Sequence, residues 1–433
     1  LAGADAIYNA VLRQFGVHRA RTTAEQLDVA YACSRGIYPA GNKLGIITLS
    51  GGMGVQMADA ADEAGLDVAP MPLDAQAELQ ALLPFATPRN PVDVTAQALN
   101  DMQLLSANMQ MMLERGGYDA IIGIFSSVPS TRTLSDPLRK ALHDGSRGYA
   151  DRLFVLTMAA SREIVAGYEA AGFLVFEDNN HAITALAAIT GIGRSFAAAA
   201  EAVDAPPASD TAIPEGPMGE HASKALLAKA GIPVAIEHLA RTPDDAADAA
   251  DQIGYPVVLK IASIDIPHKT EIGGVLLAVT NAAAVRAGVA LLIERARAAR
   301  PDARLDGVLV SPMLSGGVET ILGVHRDPVF GAVVMFGIGG IFVEVMKDVT
   351  FRMAPFGVEE ARRMIREIKG ASLLDGVRGQ GAADIDALAE ALAALSRFAA
   401  ANAGSIASVD VNPFLVMPKG RGAVALDALV VGG

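Results

Sequence analysis

The chain has 433 residues, which at about 150 residues per domain suggests three domains or fewer. Hydrophobic residues make up 52% and charged residues 19%, a globular composition that excludes disorder of the whole chain. Lys and Arg number 35 against 48 Asp and Glu, giving a net charge of −13. That balance argues against a nucleic-acid partner, because neutralising phosphates needs clustered cations. The single cysteine, Cys33, excludes an intrachain disulfide and a cysteine cluster for zinc or iron–sulfur. The longest strongly apolar stretch is read as Gly331 to Val343, which glycines interrupt and Glu344 ends. It falls short of the roughly 20 residues of a membrane span, so no membrane partner is expected. No basic segment leading into an apolar one opens the chain, and a cytoplasmic α/β enzyme is the expectation.

The opening, Leu1-Ala2-Gly3-Ala4-Asp5, lacks a methionine and runs straight into a helical pattern from Ala6 to Phe15, as a piece of a longer chain would. From Lys43 the pattern turns to strand, glycine turn and helix. Leu44 to Leu49 reads as a buried parallel strand, followed by Ser50-Gly51-Gly52-Met53-Gly54 and a helix over Val55 to Ala64 that Gly65 closes. Further strands fit Ala120 to Phe125, Leu153 to Thr157 and Leu174 to Phe176, with helical segments between them. Alternation of this kind predicts a doubly wound parallel sheet over residues 38–200.

The Ser50-Gly51-Gly52 turn, between a strand and a helix, is where free N–H groups and the helix dipole favour a phosphate. It carries neither the lysine of a Walker A loop nor the glycine spacing of a dinucleotide site, so a plain tight turn has about equal weight. Asn90-Pro91-Val92-Asp93 reads equally as an Asx-turn or a ligand turn. Residues 201–215, rich in Ala, Asp and Pro, are expected to be a linker, with a second α/β domain over 216–433.

In that domain Thr242-Pro243-Asp244-Asp245 is a helix start, and Val257-Val258-Leu259-Lys260 a strand whose lysine must snorkel or meet an anion. Pro267-His268-Lys269-Thr270-Glu271-Ile272-Gly273-Gly274-Val275 is a polar loop with paired glycines, suited to a polyphosphate. Gly337-Ile338-Gly339-Gly340 precedes Glu344 and Asp348, two acids four apart. Near the end, Val411 to Met417 and Gly422 to Leu426 read as a hairpin. With Lys419-Gly420 at its tip, Asn412 lies opposite Asp427, and Asp410 shares their face. One amide and two acids on one face suit Mg²⁺ beside a phosphate.

Taken in order, strand-Lys260, His268-Lys269-Thr270-Glu271-Ile272-Gly273-Gly274-Val275, Phe336-Gly337-Ile338-Gly339-Gly340-Ile341-Phe342-Val343-Glu344, Asp410-Val411-Asn412-Pro413 and Asp427 resemble the ATP-grasp domain of ADP-forming acyl-CoA synthetases, in the succinyl-CoA synthetase superfamily. The Ser50 and Asn90 turns are similar to the flavodoxin-like domain of those enzymes, and residues 1–37 to the tail of a preceding CoA-ligase domain. The resemblance implies the reaction acid + CoA + ATP to acyl-CoA + ADP + phosphate, through an acyl phosphate and a phosphohistidine. It implies ATP, Mg²⁺ and coenzyme A as cofactors, a carboxylic acid as substrate and a homodimer. It also implies that Lys260 and Lys269 touch ATP phosphates, that Gly273 and Gly274 belong to a lid, and that Val310 to Met313 form the hinge by the adenine. Glu319, Glu344, Asp348 and Arg352 would line the cleft, Asn412 and Asp427 would hold Mg²⁺, and His268 would carry phosphate between distant sites. In the family a first phosphohistidine lies in a Ser-His-Thr-Gly segment upstream of the Leu-Ala-Gly stretch, where this chain opens. A non-catalytic sensing region, as in synthetase-like parts of protein acetyltransferases, is the alternative.

Overall fold

A computed structural model describes residues 2–199 (2–4 as backbone), 203–209, 212–266, 268–340, 347–376 and 381–433. The chain divides into two compact units, Leu12–Ala200 and Leu1–Val11 with Glu201–Gly433.

In the first unit, strands β1 (Leu44–Thr48), β2 (Val92–Asp93), β3 (Ala120–Ser126), β4 (Leu153–Met158) and β5 (Leu174–Phe176) form a parallel sheet of order β2-β1-β3-β4-β5. That is the flavodoxin-like order of a doubly wound fold, as the alternating pattern predicted. Successive side chains point to opposite faces, so neighbours split between two cores. Ile47 and Ile121 join the layer under α4 (Leu73–Leu82), α5 (Met102–Arg115) and α6 (Arg132–Gly145). Ile46 and Ile122 join the layer under α2 (Thr23–Cys33), α3 (Gly51–Glu63) and α8 (Asn179–Ala199). Both faces are covered, which is why β1 is buried at every position. The helix α7 (Arg162–Ala170) bridges β4 and β5 in sequence.

Two sequence expectations need correction here. The helix after β1 starts at Gly51 rather than Val55, so its glycines lie in the first turn, and Gly54 packs where a Cβ would lie 3.0 Å from Thr48 Cγ2 and 3.1 Å from Pro91 Cβ. Among the described residues α8 is a helix long and apolar enough in composition to cross a membrane, a stretch of span length that the sequence reading did not expect. In this unit its Ala182, Ile183, Ala185, Leu186 and Ile189 are core residues.

In the second unit, β7 (His238–Ala240), β10 (Gly307–Pro312), β8 (Val257–Ala262) and β9 (Val275–Val279) form an antiparallel sheet in that order. Helices α10 (Pro243–Ile253) and α11 (Ala282–Ala299) cover it, burying Ala246, Ala250, Val285 and Leu292 with Leu259 and Val308. The predicted start of α10 is present: Thr242 Oγ1 accepts from Asp245 N at 3.1 Å and Pro243 is the first helical residue. A larger sheet runs β13 (Val349–Met353), β12 (Gly331–Ile338), β11 (Val318–Asp327), β14 (Ile406–Val416) and β15 (Ala423–Ala425), with β16 (Leu429–Gly432) also on β14. Helices α12 (Val358–Glu367) and α13 (Ile385–Ala401) pack on it, and α9 (Glu220–Lys229) adds Leu227 to the same core. The two-residue strand β6 (Gly216–Pro217) precedes α9. Of residues 1–37, α1 (Ala2–Gln14) sends Ile7 and Val11 against Val333 in the second unit, whereas α2 packs in the first.

Candidate active site

The carboxyl half of the second unit sets the geometry. Phe414↔Ala425 pairs on one side and Asp410↔Leu429 on the other, in one uninterrupted register. Asn412 therefore stands opposite Asp427 in the gap between β15 and β16, as the hairpin spacing predicted. The turn at 418–421 is pinned by Asp384, whose Oδ2 accepts from Gly420 N and Gly422 N, both at 2.9 Å. Those backbone donors, the Gly422 one foremost, hold the Asp384 carboxyl below its ordinary range.

Around Asp427 the fold collects lysines. Lys260, on β8, donates to Glu220 Oε1 at 2.9 Å and to Leu426 O at 2.8 Å, and its Nζ lies 3.6 Å from Asp427 Oδ2. Lys269 donates to Asp427 Oδ2 at 3.3 Å, and its Nζ lies 2.7 Å from Glu220 Oε2. That second contact is ionic, since Oε2 has no partner in hydrogen-bond geometry. Lys224, on α9 and almost wholly buried, donates to Glu220 Oε1 at 2.8 Å and pairs with Glu237. Glu237 in turn meets His221 Nδ1 at 2.9 Å. Burial alone would raise the Glu220 carboxyl, but the charges of Lys260, Lys224 and Lys269 outweigh it and bring it down to about 2. For Lys269 burial works downward, yet Glu220 and Asp427 together push its ammonium above the ordinary value.

The predicted lysines and Asp427 are thus together, and Lys260 meets a protein anion rather than snorkelling. His268 is exposed beside them, its carbonyl accepting from Glu271 N at 3.2 Å. Gly273 closes the 3₁₀ turn Lys269–Ile272 at φ +64°, a conformation that favours glycine. Gly274 sits where a Cβ would lie 2.8 Å from Ile261 Cγ2, so the loop can close on β8 only with glycine. Val310 is buried in β10 and Met313 exposed just past it, its N donating to Pro256 O at 3.1 Å. Glu319 is exposed on β11, its carbonyl accepting from Gly339 N at 2.8 Å.

Other expected residues are committed elsewhere. Arg352 is buried: Nε donates to Glu360 Oε1 at 2.5 Å, Nη1 to Phe351 O at 2.8 Å, and Nη2 lies 2.7 Å from Glu367 Oε2. It ties β13 to α12 rather than lining a cleft. Asp348 accepts from Lys369 N at 2.9 Å and Gly370 N at 2.7 Å, capping the turn that follows α12. Glu344 lies outside the described residues. In the first unit, Ser50, Gly51 and Gly52 open α3 at the carboxyl end of β1, where a doubly wound fold binds ligands. A carboxylate already stands there, since a Cβ on Gly51 would lie 3.0 Å from Asp93 Oδ2. Asn90 is a structural staple: Oδ1 accepts from Ile46 N at 2.9 Å, and Nδ2 donates to Leu44 O at 3.0 Å and Ala69 O at 2.9 Å. Its ligand reading falls.

Sequence reasoning missed Glu220, Lys224, Glu237 and Asp384. The available signal was Glu220 four residues before Lys224 at a helix start, a spacing ordinarily read as a solvated pair.

The donor count fits a nucleotide. An ammonium has three N–H groups, and Lys260 spends two on Glu220 and Leu426, leaving a third. Among the described residues no cluster of three acids or histidines could hold a metal alone. Asn412 and Asp427 fit an ion that takes its remaining ligands from phosphate and water. Asp410, on β14, is exposed. Partial loss of hydration, with the Asp427 charge second, raises its carboxyl above the ordinary range.

The ATP-grasp domain model matches residues 214–431, which include the lysine-bearing antiparallel sheet, Asn412 and Asp427. The chain belongs to the ADP-forming acyl-CoA synthetase family. It is similar to a 4-hydroxybutyrate–CoA ligase (ADP-forming) of Nitrosopumilus maritimus, 33% identical over 99% of this chain and 63% of the relative. Acetate–CoA ligase (ADP-forming) I of Archaeoglobus fulgidus is 34% identical over 98% of this chain and 62% of its own length. The beta subunit of acetate–CoA ligase (ADP-forming) II of Pyrococcus furiosus is 44% identical over 49% of this chain and 91% of its own. A solved chain of acetyl-coenzyme A synthetase 1 from Candidatus Korarchaeum cryptofilum is 39% identical, covers 50% of this chain and 94% of its own, and has a TM-score of 0.49. The chain spans about three-fifths of the length of the first two relatives.

Proposed function

We propose that this chain is the nucleotide-handling part of an acid–CoA ligase that forms ADP, converting a carboxylic acid, CoA and ATP to acyl-CoA, ADP and phosphate. The observation that carries the reading is the convergence of Lys260, Lys269 and Asp427 beside exposed His268 in a family of ADP-forming ligases. Lys260 and Lys269 bind and orient the phosphates, with Glu319 and the segment Val310 to Met313 beside the nucleotide. Asn412 and Asp427 hold Mg²⁺, which neutralises phosphate charge when bound. Gly273 and Gly274 allow the His268 loop to fold over the phosphates. A neutral imidazole is nucleophilic near pH 7. The His268 N–P bond forms as the bond from the γ-phosphorus to ADP breaks, and the phosphoryl group then passes to the carboxylate as an acyl phosphate. CoA displaces phosphate from that intermediate. The flavodoxin-like unit offers a phosphate-binding turn at Ser50-Gly51-Gly52. A cytoplasmic homodimer is the form expected of the whole protein. Product analysis on the full-length protein tests the reading: ADP and phosphate should accumulate only when acid and CoA are both present. AMP and pyrophosphate, or no nucleotide turnover at all, would overturn it.

A further inference from the structure

The segment 268–274 is held at its two ends. At the far end, Arg295 on α11 donates to Gly273 O at 2.9 Å. At the near end, Lys269 follows His268 directly and reaches Glu220 Oε2 at 2.7 Å. No hydrogen bond or ion pair is found for the His268 imidazole among the described residues. The other oxygen of Glu220 takes Lys260 at 2.9 Å and Lys224 at 2.8 Å. One buried carboxylate therefore fixes both the ammonium on β8 and the base of the histidine loop. An anion is a poor direct partner for phosphate, and a buried ion pair is weak evidence for stability in itself. What such a cluster supplies is orientation.

We propose that Glu220 is a positioning residue that docks the His268 loop through Lys269 while aiming Lys260. This deepens the nucleotide reading and rests on it, but its test needs no nucleotide. Amide exchange is measured on the full-length protein without ligands, comparing the wild type with Glu220→Gln. The amides of Glu271, Gly273 and Gly274, which donate to His268 O, Thr270 O and Lys269 O, should exchange about tenfold faster or more in the variant. In Lys269→Met, those of α11 and the centre of β8 should hold. Lys269→Met, which leaves Glu220 paired with Lys224 and Lys260, should reproduce the same local rise, and the double variant should add nothing. In turnover, Glu220→Gln should lower kcat more than it raises KM for ATP, and Glu220→Asp should recover part of the loss. Unchanged exchange in 268–274 for Lys269→Met overturns the proposal, as does a rise in that variant spread evenly over α9, β8 and α11. If exchange rises locally but the protein forms no ADP, the functional reading fails and the docking stands.

Discussion

Replacing Glu220 by glutamine should remove stability in a pH-dependent way. In the folded chain the three lysines hold this carboxyl at about 2, against an ordinary value of 4.5. A group whose folded value is depressed stabilises the fold above its unfolded value, and that contribution is lost as pH falls toward the folded one. At about 1.36 kcal/mol per pKa unit the gap corresponds to about 3 kcal/mol at neutral pH. The same linkage leaves less than half of it at about pH 3. The side chain is almost fully buried, so solvent screening takes little from that figure. The assay is urea unfolding of wild type and Glu220→Gln at steps from pH 7 to 3, followed through amide exchange in α9 and β8 so that only the second unit is read. The difference between the two proteins should be full above about pH 5 and shrink steadily below pH 4.5. Curves that stay parallel throughout would refute an ionised Glu220 at the centre of the cluster.

Lys260→Met keeps the aliphatic stem and removes the ammonium, so calorimetry should find ATP bound about 1.5–3 kcal/mol more weakly, with adenosine unaffected. Equal ATP affinity in the two proteins would remove Lys260 from the phosphate site. Asp427→Asn should raise the Mg²⁺ concentration needed for nucleotide binding without lowering the melting temperature, since Asp427 is part-exposed and its lysine partners keep Glu220. A fall in melting temperature with an unchanged metal requirement would make it a structural acid.

The alternation of short apolar runs with helices was enough to read the parallel sheet, because both of its faces are buried and β1, β3 and β4 are each a nearly continuous apolar stretch. The hairpin register was legible for a different reason. Side chains alternate with a period of two, so one turn of even length at 418–421 carries Asn412 opposite Asp427 without any knowledge of tertiary packing. Glu220 was not legible, since nothing local distinguishes a buried acid at a helix start from a solvated one. Its lysine partner on β8, Lys260, lies 40 residues away in sequence. Asn90 misled for the converse reason. An Asn-Pro turn looks the same whether its amide meets a ligand or, as here, the backbone of β1.

Partner accounting explains why Arg352 and Lys260, both read as cleft cations, belong to different parts of the protein. A guanidinium has five N–H donors in a fixed fork. Those of Arg352 go to Glu360, Glu367, Thr350 and Phe351, all on β13 or α12. A phosphate would have to break that network of the buried guanidinium to reach it. The ammoniums of Lys260 and Lys269 are the opposite case. Each shares its carboxylates with a neighbour and keeps donor capacity, and both stand beside Asp427, which is 30% exposed. An incoming phosphate can add to them without stripping the scaffold. Asp410 completes the contrast, for its carboxyl is raised by lost hydration and by the Asp427 charge. A divalent ion arriving with the phosphates would relieve that repulsion, so the acids and the lysines each lack what a metal–nucleotide complex brings.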